Sequence, residues 1–523
     1  MDHEISRTDR VRTGLPPHRW TKVDDPESVS VVASYPTVIA GGGPAGLTAA
    51  FELTKHGHPC VALEADATMV GGISRTDEYK GYRFDIGGHR FFSKSEEVNR
   101  LWDEILGDQF ITRPRLSRIY YDRKFFHYPL KPVDAFLKLG PFKAVAILAS
   151  YVRSRILPIK PEKSFEDWVV NRFGRRLFNI FFKTYTEKVW GMSTSEISAD
   201  WAAQRIKGLS LVRAVTSALF PGKKKSKGEV IKTLIDSFKY PRLGPGQMWE
   251  AARDKVRAQG GAVHHDRRVV RIDHDGSSIT KFVSRDSQGK LTEYQAEHFI
   301  STLPIRELIR AMNPQPPQAV VDAAESLKYR DFLTVVLIVD RPETFPDNWI
   351  YIHEPDVQVG RVQNFKNWSP DLVPDASKSS LGLEYFCFEG DNLWTMKDED
   401  LIALGRREID AIGLVSASEV VDGCVVRMPK AYPVYDEVYK DHLATIRGWL
   451  KNFPNLELAG RNGMHKYNNQ DHSMMTAFLA ARNILGLGSF DTWNVNTDAE
   501  YHEEGSESKA EVGRMVPSKI QGA

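Results

Sequence analysis

An α/β protein is predicted, with a Rossmann-type dinucleotide-binding domain, a helical insertion domain and an antiparallel-sheet domain. Three features of the sequence predict it: a strand–glycine turn–helix signature in TVIAGGGPAGLTAA, a long helical pattern after it, and then a series of strand-length apolar segments. Thr37–Ala40 reads as a buried strand, Gly41–Gly46 as a turn, Leu47–His56 as a helix and Cys60–Glu64 as a second strand, which together make one βαβ unit. From Glu96 to about Lys207 the pattern is helical, with amphipathic stretches at Val98–Ile105 and Phe165–Phe182. Ser210–Glu229 joins apolar residues to Lys223, Lys224, Lys225 and Lys227 between Gly222 and Gly228, which fits a mobile loop or a solvated charge run. Val263–Val270 and Ser278–Ser287 read as β-structure, and Phe299–Leu303 returns the chain to the dinucleotide-binding domain. Phe332–Asp340, Trp349–His353, Gly360–Phe365 and Leu381–Phe388 predict a largely antiparallel sheet. Leu456–Leu485 closes the pattern with a strand, a glycine turn and an apolar helix. The expected division is a flexible tail over 1–34, a discontinuous dinucleotide-binding domain from 35–95, 236–305 and 455–490, a helical domain over 96–235, a sheet domain for substrate over 306–454, and a polar tail over 491–523.

Composition narrows the partners. A formal net charge of +2 with 26% charged residues gives no bias towards nucleic acid. Cys60, Cys387 and Cys424 fit neither a disulfide framework nor a metal knuckle, so no metal and a reducing cytoplasm are expected. Met1–Ser34 is polar and broken by prolines, unlike a signal peptide. The most apolar stretch, Phe136–Leu157, is interrupted by Lys138, Lys143, Arg153 and Arg155; it falls short of a membrane span and fits either the buried face of a helix or a peripheral, monotopic membrane contact.

The glycine turn carries chemistry. Of the spaced glycines Gly41, Gly43 and Gly46, the first permits a tight turn and the second lets backbone approach a pyrophosphate, so that the helix start faces the anion. Glu64 ends the next strand, where a carboxylate accepts hydrogen bonds from ribose hydroxyls. Gly71, Gly72, Ser74 and Arg75 add a second glycine turn and a cation, which argues FAD rather than NAD. The run GGISRTDEYKGYRFDIGGHRFF resembles the extended fingerprint of the amine oxidase and protoporphyrinogen oxidase superfamily. That resemblance implies that Gly87, Gly88 and His89 lie beside the flavin ring, the alternative for His89 being a buried structural histidine. It also implies that Val269 covers the adenine, and that Gly460, Arg461, Asn469, Gln470 and Ser473 close over the ribityl chain.

Within that superfamily, the chain from about Pro36 to Leu485 resembles the UDP-galactopyranose mutases. EKVWGMSTSEISADWAAQRI is similar to the stretch ending in a substrate-diphosphate arginine, here Arg205, and WIYIHEPDVQVGRVQNFKNWSP to the segment with the second, here Arg361. Tyr128, Trp190, Trp349, Tyr351 and Trp368 fall on substrate-lining aromatic positions, and Tyr432 and Tyr467 on phosphate-binding tyrosines. Two arginines and two phenols converging beside a flavin would neutralise a diphosphate, because guanidinium forks suit phosphate oxygens. The pattern departs at the base end: Lys131 stands where the family offers an amide after Tyr128–Pro129, and Thr186 and Glu187 stand where it favours Asn and an aromatic. The implied carrier is therefore another nucleoside diphosphate or a lipid-linked phosphate.

The resemblance implies a redox-neutral isomerase acting on a sugar diphosphate through a reduced-flavin N5–sugar adduct, with NADPH as reductant and a role in cell-wall polysaccharide biosynthesis. Arg205 and Arg361 would stabilise the departing phosphate, and His89 would shape the flavin environment. The rival expectation keeps the fold and changes the chemistry, to an oxidoreductase or epimerase on a sugar nucleotide or lipid-linked sugar, or to an amine or protoporphyrinogen oxidase.

Overall fold

The computed structural model describes residues 29–31, 34–128, 130–199, 202 and 237–496. Arg205 and the lysine loop over 210–229 lie outside them.

A five-stranded parallel sheet forms the first domain, in the order Ala262–His264, Cys60–Leu63, Thr37–Ala40, His298–Ser301 and Leu456–Leu458. Two of its strands, TVIA and CVAL, are short apolar runs, as expected where both faces are covered. Alternation sorts them: Ile39, Cys60 and Ala62 pack with the helices Pro44–Lys55, Pro245–Ala258 and Gln470–Ile484, while Val38, Ala40, Val61 and Leu63 pack on the other side. That other side is a small sheet of Arg268–His274, Ile279–Arg285 and Leu291–Gln295, joined by helices Ile305–Ala311, Gln318–Ser326 and Tyr439–Leu450.

The second domain is a seven-stranded sheet ordered Val420–Pro433, Tyr329–Val339, Ser379–Cys387, Arg361–Asn364, Trp349–Ile352, Ser117–Tyr121 and Lys124–His127. It is antiparallel except where Trp349–Ile352 meets Ser117–Tyr121. One face is sealed by apolar side chains such as Leu333, Val335, Ile350, Val362 and Leu383 beneath the helix Asp398–Ala411. The period of two then sends Trp349, Tyr351, Arg361, Gln363, Glu384 and Phe386 to the opposite face.

Four expectations need correction. Residues 110–127 are not part of a helical domain: Phe110–Pro114 pairs with Ser237–Pro241, and 117–127 is a hairpin at the edge of the large sheet, turning at Asp122 and Arg123 with φ of 53° and 55°. Its alternating FITRP and SRIYY segments are β-patterned. Gly140, at φ 84°, divides the apolar stretch into helices Pro132–Leu139 and Pro141–Ile156. Residues 306–326 and 439–450, expected in the sheet domain, form helices that pack on the dinucleotide-binding domain instead, because their apolar faces complete its second layer. Both tails contribute structure: Val29–Val31 pairs with Leu291–Glu293, and Lys466 Nζ donates to the carbonyls of Trp493 (2.6 Å) and Val495 (2.7 Å). Among the described residues no helix is long and apolar enough to cross a membrane.

Candidate flavin and substrate site

The glycines of the first turn have distinct duties. A Cβ on Gly46 would lie 1.9 Å from the Gly41 carbonyl, and one on Gly41, at φ 106°, would lie 2.1 Å from Thr302 Oγ1; both are required by the protein's own packing. Gly43 differs: its nearest neighbour would be Gly72 Cα at 3.8 Å, so the space in front of it belongs to no protein group. Gly71 N–H donates to the Gly42 carbonyl at 2.9 Å, which brings the second glycine turn against the first.

Glu64 accepts from the N–H of Gly42 through Oε2 and of Asp66 through Oε1, each at 2.8 Å. Burial raises its pKa, and those two donors oppose the shift. Each oxygen keeps a lone pair for a ribose hydroxyl. Gln470 holds both amide atoms buried without a partner among the described residues, and so does the Thr48 hydroxyl. The open space at Gly43, the anchored Glu64 and these unsatisfied polar atoms fit an FAD.

Other predicted cofactor residues are placed variously. Ser74 is buried. Arg75 is paired with Asp66 and Asp77, both at 3.4 Å, and braces the turn. Val269 lies in the core between the two sheets of the first domain. Gly460, at φ 88°, abuts Ala45 at the start of the dinucleotide helix and donates to Thr476 Oγ1 at 2.9 Å. Asn469 caps the helix Gln470–Ile484, where its carbonyl receives the Ser473 hydroxyl at 3.0 Å.

His89 sits between the two domains. Its Nδ1 is 2.9 Å from the Gly87 carbonyl. A carbonyl only accepts, so Nδ1 carries the proton. Burial, then the cations Arg461 and Arg361, push its pKa down to about 3, so the ring is neutral near pH 7 and Nε2 presents a lone pair. Gly88 faces Trp368 and Gln363: a Cβ there would lie 3.5 Å from the indole and 3.6 Å from Gln363 Oε1.

Sheet register builds the opposite wall. Tyr351, Arg361, Glu384 and Thr334 are successive cross-strand partners. Arg361 forms an ion pair with Glu384 and donates to the Tyr432 hydroxyl at 3.3 Å, while its Nε is buried without a partner among the described residues. Burial alone would lower the Arg361 pKa, but Glu384 holds it well above the ordinary value, so it remains cationic. Gln363 Nε2 donates to Glu384 Oε1 at 2.7 Å, and the Gln363 Oε1 is buried without a partner among the described residues.

Aromatic rings complete that wall. Tyr432 and Tyr467 stack at 5.5 Å, with Trp190 6.0 Å from Tyr467. Arg461 lies against both tyrosines and donates to the carbonyls of Asn468 (2.8 Å) and Ala431 (3.0 Å). Tyr351 meets Tyr128 at 4.8 Å and Trp349 at 6.3 Å; Trp349 stacks on Trp368, whose indole N–H is taken by the Asn348 carbonyl at 3.0 Å. Lys131 is not drawn into this cluster; it is exposed at the start of the helix Pro132–Leu139.

Several members of the site carry no mark in the sequence motifs. Gln363 could have been found by extending the strand alternation from Arg361, whereas Glu384 joins it only through cross-strand register. Tyr185 stacks on His353 at 4.8 Å, and Arg330 ties the end of the Trp190 helix to the sheet through the carbonyls of Val189, Lys188 and Phe386. Asp85, buried, accepts the Tyr240 hydroxyl at 2.6 Å beneath the Gly87 turn. Nothing in local sequence marks these last contacts.

Residues 44–485 match the family described as flavin containing amine oxidoreductase, and the chain belongs to that family. It is thereby an FAD-type flavoenzyme. Coproporphyrinogen III oxidases of Mycobacterium bovis and Mycobacterium tuberculosis are 24% identical over 442 residues, which span 81% of this chain and 91% of theirs. Reduced UDP-galactopyranose mutase superposes with a TM-score of 0.74 at 23% identity, over 90% of this chain and 97% of that one. A protein described as a protoporphyrinogen oxidase from Exiguobacterium sp. 255-15 gives 0.63 at 16% identity, over 87% and 99%. At these identities the likeness to the solved structures is one of fold.

Proposed function

We propose that the chain is a redox-neutral mutase acting on a sugar diphosphate. The observation that carries this reading is the half-buried Arg361, charged and with its Nε uncommitted among the described residues, donating to Tyr432 beside Tyr467 and Trp190 on the face that looks towards His89. A cage for an amine or a hydrocarbon has no use for a fixed cation; a diphosphate does.

When bound in its reduced form, the flavin supplies the nucleophile for opening and reclosing the sugar without net oxidation. The chain's own residues do the rest. Arg361, with Arg205 as its proposed partner, takes up charge on the departing phosphate, and the Tyr432 and Tyr467 hydroxyls orient its oxygens. Tyr128, Trp349 and Tyr351 exclude water from the reacting centre. His89 stays neutral and offers an acceptor beside the Gly87–Gly88 turn. NADPH is the proposed reductant and the cytoplasmic side of the cell the proposed location. The carrier on the diphosphate is a nucleoside or a lipid.

A second reading, oxidation of a related substrate, is favoured by the oxidases among the relatives. One experiment separates the two: incubate the dithionite-reduced and the oxidised enzyme with a panel of sugar diphosphates and measure product mass. The mutase reading expects product equal in mass to substrate, formed only by reduced enzyme over many turnovers. A two-hydrogen mass loss with stoichiometric acceptor consumption establishes the oxidoreductase.

A further inference from the structure

Ten large hydrophobic side chains are exposed among the described residues, and seven of them lie between Leu137 and Leu157. Phe142 is 91% exposed, Leu137 78% and Ile156 71%. Such concentration on one short segment marks a surface that something covers.

The arrangement is helical. At about 100° per residue, Phe142, Val145, Leu148, Val152 and Ile156 fall within an arc of roughly 120° on the helix Pro141–Ile156, with Arg153 and Arg155 at its two edges. The opposite side of the same helix is fixed to the protein: Ile147 and Ser154 are buried, Ser150 Oγ accepts the Arg176 N–H at 3.1 Å, and Gly174 approaches Tyr151 so closely that a Cβ would lie 2.7 Å from its backbone nitrogen. The stripe is therefore held outward by the fold.

Charge selects what covers it. From Ala135 to Pro161 the sequence holds Lys138, Lys143, Arg153, Arg155 and Lys160 and no acidic residue. Lys138 and Lys143 are paired with Asp134 and Asp122, whereas Arg153 and Arg155 make no ion pair among the described residues. A second copy of the chain seated on the stripe about a two-fold axis would set these cations against one another. An anionic bilayer reverses that sign: apolar side chains enter the acyl boundary while the arginines meet lipid phosphates. The helix has 16 residues and does not cross the bilayer, so it lies in its plane.

We propose that the Leu137–Leu157 stripe docks the protein on the surface of a membrane containing anionic lipids. The site aromatic Tyr128 precedes this segment in the chain, directly after the hairpin strand Lys124–His127 against which the helix Pro132–Leu139 packs, so docking brings the substrate domain to the bilayer.

The test is flotation of the full-length, FAD-loaded protein with vesicles of phosphatidylcholine alone or mixed with phosphatidylglycerol. Wild type is expected to float with the mixed vesicles. The triple variant Phe142→Ser, Val145→Ser, Val152→Ser should partition at least about tenfold more weakly. The double variant Arg153→Ala, Arg155→Ala should lose about thirtyfold and most of the salt sensitivity. Both variants replace exposed side chains and should keep wild-type FAD content and melting temperature. Wild type that stays with neither vesicle, or variants that float as wild type does, would overturn the proposal. So would a solution dimer that the triple variant dissolves and vesicles leave intact, since a second copy would then cover the stripe.

Discussion

On the dinucleotide side the candidate site is lined largely by backbone, set by glycines in the Gly41–Gly46 and Gly71–Gly72 turns; on the sheet side it is lined by long side chains from several separate segments. The first wall is local in sequence, and a single added methyl is enough to fill it. The second depends on register, since Tyr351, Arg361 and Glu384 adjoin only because their three strands align. Damage should therefore differ in kind: loss of fold or cofactor on one side, loss of substrate with the flavin retained on the other.

The largest effect is expected from two glycines of one turn. Gly46→Val drives a side chain into the Gly41 carbonyl and should abolish soluble, folded protein. Gly43→Val meets no protein atom closer than 3.8 Å at Cβ, so the variant should fold yet lose its yellow colour. Circular dichroism together with flavin absorbance distinguishes the two; a Gly43→Val protein with full FAD content would break the comparison.

On the other wall, Arg361→Ala should leave the flavin spectrum intact while weakening sugar-phosphate turnover by roughly 10–100-fold. It also strands the buried Glu384, at a cost of about 3–5 kcal/mol in chemical denaturation. Adding Glu384→Gln should recover most of that stability and none of the turnover. Recovery of both would show that Arg361 serves only the fold. Glu64→Gln replaces one acceptor oxygen by a donor and is expected to weaken FAD by about tenfold, read by fluorescence titration of the apoprotein.

The smallest effect is a slope. Burial, with Lys188 nearby, lowers the His353 pKa from 6.5 to about 3. The unfolded chain then binds more protons between those values, so the stability that neutral His353 contributes is complete above pH 6.5 and is lost as pH falls towards 3. His353→Asn should flatten the pH dependence of unfolding free energy by about 1.4 kcal/mol per pH unit between roughly pH 6 and 4. An unchanged slope would mean that His353 is already protonated in the folded protein.

The strands Thr37–Ala40 and Cys60–Leu63 and the turn between them were legible because one short segment contains its own geometric requirements: apolar pairs for a covered strand, glycine where a Cβ collides, a carboxylate at the strand end. Four sheet-domain strands could likewise be read from alternation, and with them the resemblance that marked Arg361, Tyr432 and Tyr467. The hairpin at 117–127 is not legible in the same way, because its neighbours in sequence are helical while its neighbours in space are strands. Tertiary structure alone decided that Glu384 compensates Arg361, that Arg461 wedges against two tyrosines, and which face of Pro141–Ile156 is left outside. The physical reason is range: steric and periodic demands act over a few residues and are written in order along the chain. Charge compensation and burial depend on what another segment brings, and that is fixed only when the sheets close.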